Sequence, residues 1–314
     1  MSISKILSTV LLGIMASQPV LAQSFNKPIR LVVPFGAGGA TDVLARLIAP
    51  TISQQLKQPV IVENRPGANG QIGAQFVKSA PADGSILMVT TEHPVVILPF
   101  INTKAPYTGD DFTILGKIAN LQWALSTSKK FGAQNLKEFV EHIRQHPADG
   151  NYGVPSDGGI PQMIGSVIAK TEKIEMEVIP YGGAGPMIPH LMGGQIGSGV
   201  TGLPEAISML DSGKVDVLGI AGSKRSTHLP DVPTFKELGY EGLAVDSWFG
   251  VFSPKGINQE MKVAFHKALQ LALENPEVKN RIYEMSIDTL PMSLEQADSD
   301  YEEAIEYWKK AYKK

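Results

Sequence analysis

The groups best placed to do chemistry in this chain are backbone groups. In Val32 to Asp42, VVPFGAGGATD, an apolar strand gives way to Gly36, Gly38 and Gly39, and an amphipathic helix begins near Thr41. The first N–H groups of a helix have no partner within it and attract anions. Glycines let a ligand approach such a backbone closely. Phe35, Gly36, Ala37, Gly38, Gly39 and Thr41 therefore read as a carboxylate site that needs no arginine, or alternatively as a plain tight turn. Thr41 either caps the helix or presents its hydroxyl, and Asp42 complements the helix dipole. The third glycine of G-x-G-x-x-G would fall at Thr41, and no Gly-Lys-Ser/Thr follows, so this is neither a dinucleotide fingerprint nor a P-loop.

Other loops share the pattern of a strand followed by a turn and a helix. Thr90 and Thr91 end a strand and offer hydroxyls, while Glu92 and His93 read as solvated or structural. Arg65, in ENRPGANGQIG, either grips a carboxylate with two hydrogen bonds or pins a neighbouring loop. Further on, VPSDGG supplies Pro155, Ser156, Asp157 and Gly158, YGGAGP supplies Tyr181 and Gly183, and Thr201 follows another short apolar segment. Signs of catalysis are weak. There is no cysteine to act as a thiol nucleophile and no G-x-S-x-G elbow. A hydrolase using Ser156 or Ser198 with a histidine is a remote alternative. His142 and His146 have a spacing that can hold a metal on a helix, but no third ligand stands near, and a solvated face is the better reading. No cofactor and no metal are expected.

The elements that must position these loops alternate along the chain. Strands are predicted at Ile29 to Phe35, Val60 to Val62 and Ile86 to Thr90, with helices from near Thr41 and at Gln71 to Ser79. The rhythm restarts after Trp123. Helices are predicted at Leu136 to Gln145, Pro161 to Lys170 and Pro204 to Leu210, with strands at Asn151 to Gly153, Met176 to Pro180 and Val215 to Ala221. The tail, from Gln259 to Tyr312, is helical. Such alternation predicts parallel sheets covered on both faces. Ligands of open α/β sheets bind beyond the carboxyl ends of the strands, where the glycine-rich loops lie.

At 314 residues the chain is long enough for two domains. Lys5, the apolar run Ile6 to Ala16, Pro19 and the small residues before Ala22 read as a cleaved export leader, residues 1–22. The run is too short to span a bilayer. Without a cysteine at the cleavage point no lipid anchor is expected. Losing Lys5 takes the net charge from -3 to -4, which argues against a nucleic-acid partner.

The runs KPIRLVVPFGAGGATDVLARLIAPTISQQLKQPVIVENRPGANGQIGA, YGVPSDGG, IPYGGAGP with LMGGQI, GKVDVLGIAGSKRSTHLPDVPTFKELGY and SWFGVFSPKG occur in that order. Together they resemble the substrate-binding proteins of tripartite tricarboxylate transporters, the Bug receptors, over essentially the whole mature chain. The resemblance implies a two-lobed, α/β, type II periplasmic-binding-protein fold with a central cleft. Lobe 1 would be residues 23–123 with 226–314, and lobe 2 residues 124–225. It implies a periplasmic, usually monomeric receptor that hands a small organic carboxylate, a di- or tricarboxylate or an aromatic acid, to membrane permease subunits. An accessory protein presenting ligand to a membrane kinase remains an alternative. The matched motifs place the carboxylate at Phe35 to Gly39, Thr41 and the Thr90–Thr91 rim. Lobe 2 departs from the family pattern. Gly153, Val154, Pro155 and Ser156 stand where Tyr-Ala-Ser-Ser is common, and Gly159 and Gln162 replace a serine and a histidine. His190 and Gly197 each stand where an aspartate is common. These losses point to a non-amino organic acid with a flatter or more apolar body.

Overall fold

The computed structural model describes residues 25–312. The expected leader, residues 1–22, lies outside them. The first part of the chain runs β1 (Ile29–Val33), α1 (Ala40–Leu56), β2 (Val60–Asn64), α2 (Gln71–Lys78), β3 (Ile86–Thr91), a short α3 (Leu98–Ile101) and β4 (Phe112–Leu121). The middle runs β5 (Trp123–Ser128), α4 (Leu136–Gln145), β6 (Asn151–Val154), α5 (Gly159–Glu172), β7 (Glu177–Pro180), α6 (Ala184–Met192), β8 (Ser198–Gly202), α7 (Leu203–Asp211) and β9 (Val215–Ala221). After β10 (Ser247–Pro254) the chain ends in α8 (Gln259–Glu274), α9 (Pro276–Glu284) and α10 (Leu294–Ala311).

The strands form two five-stranded sheets, in the orders β2-β1-β3-β10-β4 and β7-β6-β8-β5-β9. The two sheets share one plan. Four strands run parallel, and the fourth in spatial order, β10 in one sheet and β5 in the other, runs against them. The purely parallel sheets expected from the strand–helix rhythm are thus mixed sheets. The reason lies in how the odd strands arrive. A parallel neighbour needs a crossover helix, whereas β5 follows β4 after the single residue Gln122, and β10 comes back from β9 through the irregular stretch 222–246. The chain therefore passes between sheets twice, and each odd strand is the first laid down after a passage. Gln122 joins the two passages by donating from Nε2 to the carbonyl of Lys224 at 3.2 Å.

The central strands of sheet one, β1, β3 and β10, are covered on both faces and are largely apolar rather than alternating. Leu31, Val33, Leu87, Val89 and Val251 pack against Leu44, Ile48 and Ile52 of α1 and Phe265 and Leu269 of α8. Val32, Met88 and Phe252 face the other way, toward Val77 of α2 and Tyr301 and Trp308 of α10. That second layer continues into the other unit through Ile97, Ile160, Ile164 and Phe139. α10 is also fastened by charge. Lys117 of β4 reaches Asp300 at 2.5 Å and lies 4.6 Å from the centre of the Trp248 ring, while Lys262 of α8 bonds Asp298 at 2.7 Å.

The glycine turn after β1 is held from two sides. The Asp42 carboxylate accepts from the Gly38 N–H at 2.9 Å and from Arg46 and Asn64 at 3.0 Å each. Asn64 donates in addition to the Phe35 carbonyl at 3.2 Å. Asp42 is thus a loop anchor as well as a dipole partner. Arg46, helped by Gly38 and Asn64 and opposed by burial, holds its carboxyl down to about 2. A depressed folded value stabilises the native state above the unfolded value and loses that contribution as pH falls toward 2. Asp42→Asn should lower stability at pH 7 by on the order of 2 kcal/mol. The gap from the wild type should close between about pH 4 and pH 2, as measured by urea unfolding across that range.

Candidate functional site

Helices α1, α5, α6 and α7 follow strands β1, β6, β7 and β8, and their first residues converge on one cleft of about 560 Å³. Lobe-one walls come from Pro34, Phe35, Gly36, Gly39, Ala40 and Thr41, from the 66–70 turn and from Thr91, Glu92 and His93. The facing walls are Pro155, Ser156, Ile160, Pro161, Gly182, Gly183 and Glu205. Leu121, Trp123 and Ser247, beside the two passages, line it as well. The space suits a small ligand.

The electrostatics of this cleft come from backbone. Among the described residues, no lysine or arginine lines it. Positive potential is supplied by helix starts, each worth about half a charge. α1 begins at Gly39 with no side-chain cap, and neither α5 nor α6 has an acid in its first turn. These are open donors for an anion.

The structure brings Phe35, Gly36, Gly39, Thr41, Thr91, Pro155, Ser156 and Gly183 to the cleft. It does not bring the others there. Ala37 and Gly38 are exposed, and the Gly38 N–H is taken by Asp42. Thr90 and Thr201 are fully buried in their sheets, and neither hydroxyl has a hydrogen-bond partner. Asp157 is exposed, and the Gly158 N–H donates to Gln162 Oε1 at 2.7 Å. Tyr181 turns its hydroxyl to His190 Nδ1 at 2.8 Å. Arg65 is a loop pin: it bonds Glu63 at 2.6 Å and stacks 3.7 Å from the Phe76 ring centre. His142 bonds Asp149 at 2.8 Å and stacks on His146, and no cluster of three potential metal ligands occurs among the described residues.

Residues the sequence reading did not assign to the cleft include Trp123, Glu205, Asn69, Ile97 and Ser247. Glu92 is structural, and His93 lines the cleft. Glu92 is buried and accepts from Ser247 Oγ at 2.5 Å and the Trp248 N–H at 3.2 Å, tying the end of β3 to the start of β10. Burial pushes its carboxyl up, against the pull of those donors. Burial also pulls His93 down to about 4, so the ring is neutral at pH 7. It follows β3 in a single π-helical turn, His93–Ile97, a feature common at functional sites. Its Nε2 has no hydrogen-bond partner, and no bond joins it to Ser156, so the two do not form a nucleophile–base pair here. Ser198 is fully buried in β8.

The two units touch beside the cleft. Gly158 and Gly159 both have left-handed φ, +75° and +73°, and a Cβ on them would come 2.5 Å from Ile101 and 3.0 Å from His93. Only glycine lets the start of α5 sit this close to the first unit.

Two α/β sheets joined by paired passages, with helix starts from both facing one cleft, define a two-lobed solute-binding receptor. Residues 44–314 match the profile of the TctC family, described as tripartite tricarboxylate transporter family receptors. Protein BugT of Bordetella pertussis is 30% identical over 263 residues, 83% of this chain and 81% of that one. Among solved structures, MatC from Rhodopseudomonas palustris with bound malate is 28% identical at a TM-score of 0.77, covering 92% of this chain and 99% of its own. An R. palustris protein with adipate is 28% identical at a TM-score of 0.80, covering 91% and 96%. This chain belongs to the tripartite tricarboxylate transporter receptor family. No helix among the described residues is long and apolar enough to cross a membrane.

Trp123 provides a test of the cleft. Its indole N–H is buried with no acceptor, an arrangement that costs stability in the empty protein, and its replacement tests whether a bound ligand supplies the missing acceptor. Trp123→Phe should leave the unfolding midpoint of the ligand-free protein unchanged or higher, yet weaken ligand binding about five- to twentyfold, roughly one hydrogen bond. Calorimetric titration and thermal melts on the same two proteins read both effects.

Proposed function

We propose that this chain is a periplasmic receptor that captures a small organic carboxylate in its cleft and delivers it to membrane permease subunits. The observation that carries the reading is the convergence of uncapped helix starts on a cleft without lysine or arginine. Such a site stabilises an anion through backbone N–H groups. Family membership and the malate and adipate in related structures support a carboxylate as that anion. The proposed first contact is the lobe-one turn Phe35 to Thr41 with Thr91. Ser156 and Gly183 then close from the other side.

The moving units are proposed to be residues 23–123 with 226–314, and 124–225, hinged at the passages near Gln122 and Lys224. Closure follows only if the ligand binds the closed form better than the open one. Export through cleavage after Ala22, action as a monomer and binding without catalysis belong to the same proposal. No nucleic-acid partner and no cofactor belong to it.

A thermal-shift screen over mono-, di- and tricarboxylates, aromatic acids and amino acids tests the reading. A cognate acid at about a hundred times its Kd should add roughly 2.7 kcal/mol and raise the melting temperature by about 5 °C. Failure of every acid to raise it at millimolar concentration would contradict a carboxylate receptor.

A further inference from the structure

Two acids line the cleft, Glu92 and Glu205. Glu92 is fully engaged by Ser247 and the Trp248 N–H. Glu205 is different. It stands third in α7, half-buried, and no cation contributes to its environment. Its carboxylate folds back over the helix start, with Oε2 2.7 Å from where a Cβ of Gly202 would be. A helix start carries about half a positive charge and a carboxylate a full negative one. Asp42 in the first turn of α1 is offset by Arg46, whereas Glu205 in the first turn of α7 meets no cation. Burial pushes the Glu205 carboxyl up from its ordinary value, as expected for an acid without a countercharge.

Trp123 lies opposite Gly202 in the β5–β8 ladder. Residues paired in this way project from the same face of a sheet. Glu205 and Trp123 both line the cleft. Leu121, Ile97 and Ile160 add apolar surface to the lining.

We infer that Glu205 is a specificity-determining residue, selecting monocarboxylates whose far end carries a neutral group able to donate to Glu205. A hydroxyl or a primary amide can donate in this way. A second carboxylate at that end meets a like charge, with no lysine or arginine in the lining to offset it. The inference rests on the carboxylate reading above and narrows its ligand class.

Calorimetric titration at pH 7.5 tests it with two matched series: hexanoate, 6-hydroxyhexanoate and adipate; benzoate, 4-hydroxybenzoate and terephthalate. In the wild type the hydroxy acid of the binding series should bind at least tenfold tighter than its diacid. Glu205→Gln should shrink that ratio below threefold, and Glu205→Lys should reverse it. A diacid bound as tightly as its hydroxy acid by the wild type would overturn the inference while leaving the carboxylate receptor intact. An unchanged ratio in both variants would do the same. Binding of none of the six acids would overturn the inference together with the reading beneath it. The wild-type comparison needs no variant, so a substitution that fails to fold leaves it decisive.

Discussion

An α-helix leaves its first N–H groups without partners, and in this chain four helices turn that deficit toward one space. The constraint explains much of the architecture. For several helix starts to meet, the strands before them must end at the same edge, which the parallel core of each sheet ensures. For the meeting to involve two sheets, the chain must pass between them, and it does so at Gln122 and again through 222–246. The antiparallel strands β5 and β10 follow from those passages. Glycine is needed where the backbone crowds, as at Gly158 and Gly159 against Ile101 and His93.

Polar side chains near the cleft hold backbone in place. Asp42 and Asn64 fix the turn after β1, and Glu92 fixes β3 to β10. His93, neutral through burial, adds no charge at pH 7. Glu205 breaks the pattern, since its carboxyl meets no protein cation. The cleft is therefore uneven, receptive to an anion at α1, α5 and α6 and averse to one at α7.

Much of this was legible in the sequence. Apolar runs between glycine-rich turns marked β1, β3, β6 and β9, and the boundaries of α4 agreed to the residue because Asn135 caps it and His146–Pro147 ends it. β4, β5 and β10 escaped the reading. Phe112 to Ser128 contains buried lysine, serine and threonine on both sides of Gln122, and no glycine–proline turn marks the passage between sheets. Turn residues were visible but the destinations of their N–H groups were not: Gly38 and Gly158 look available in sequence and are taken by Asp42 and Gln162. Trp123 and Glu205 carry no local motif. Their place in the lining depends on the sheet pairing, Trp123 against Gly202, which a single sequence does not display.

The central claim is that backbone N–H groups at the cleft hold a carboxylate. The most direct measurement is the Kd of the best-bound acid against that of its methyl ester, which keeps the shape and removes the charge. The account predicts that the ester binds at least a hundredfold more weakly, the loss expected when charge-assisted bonds become neutral ones. An ester bound as tightly as the acid would contradict it.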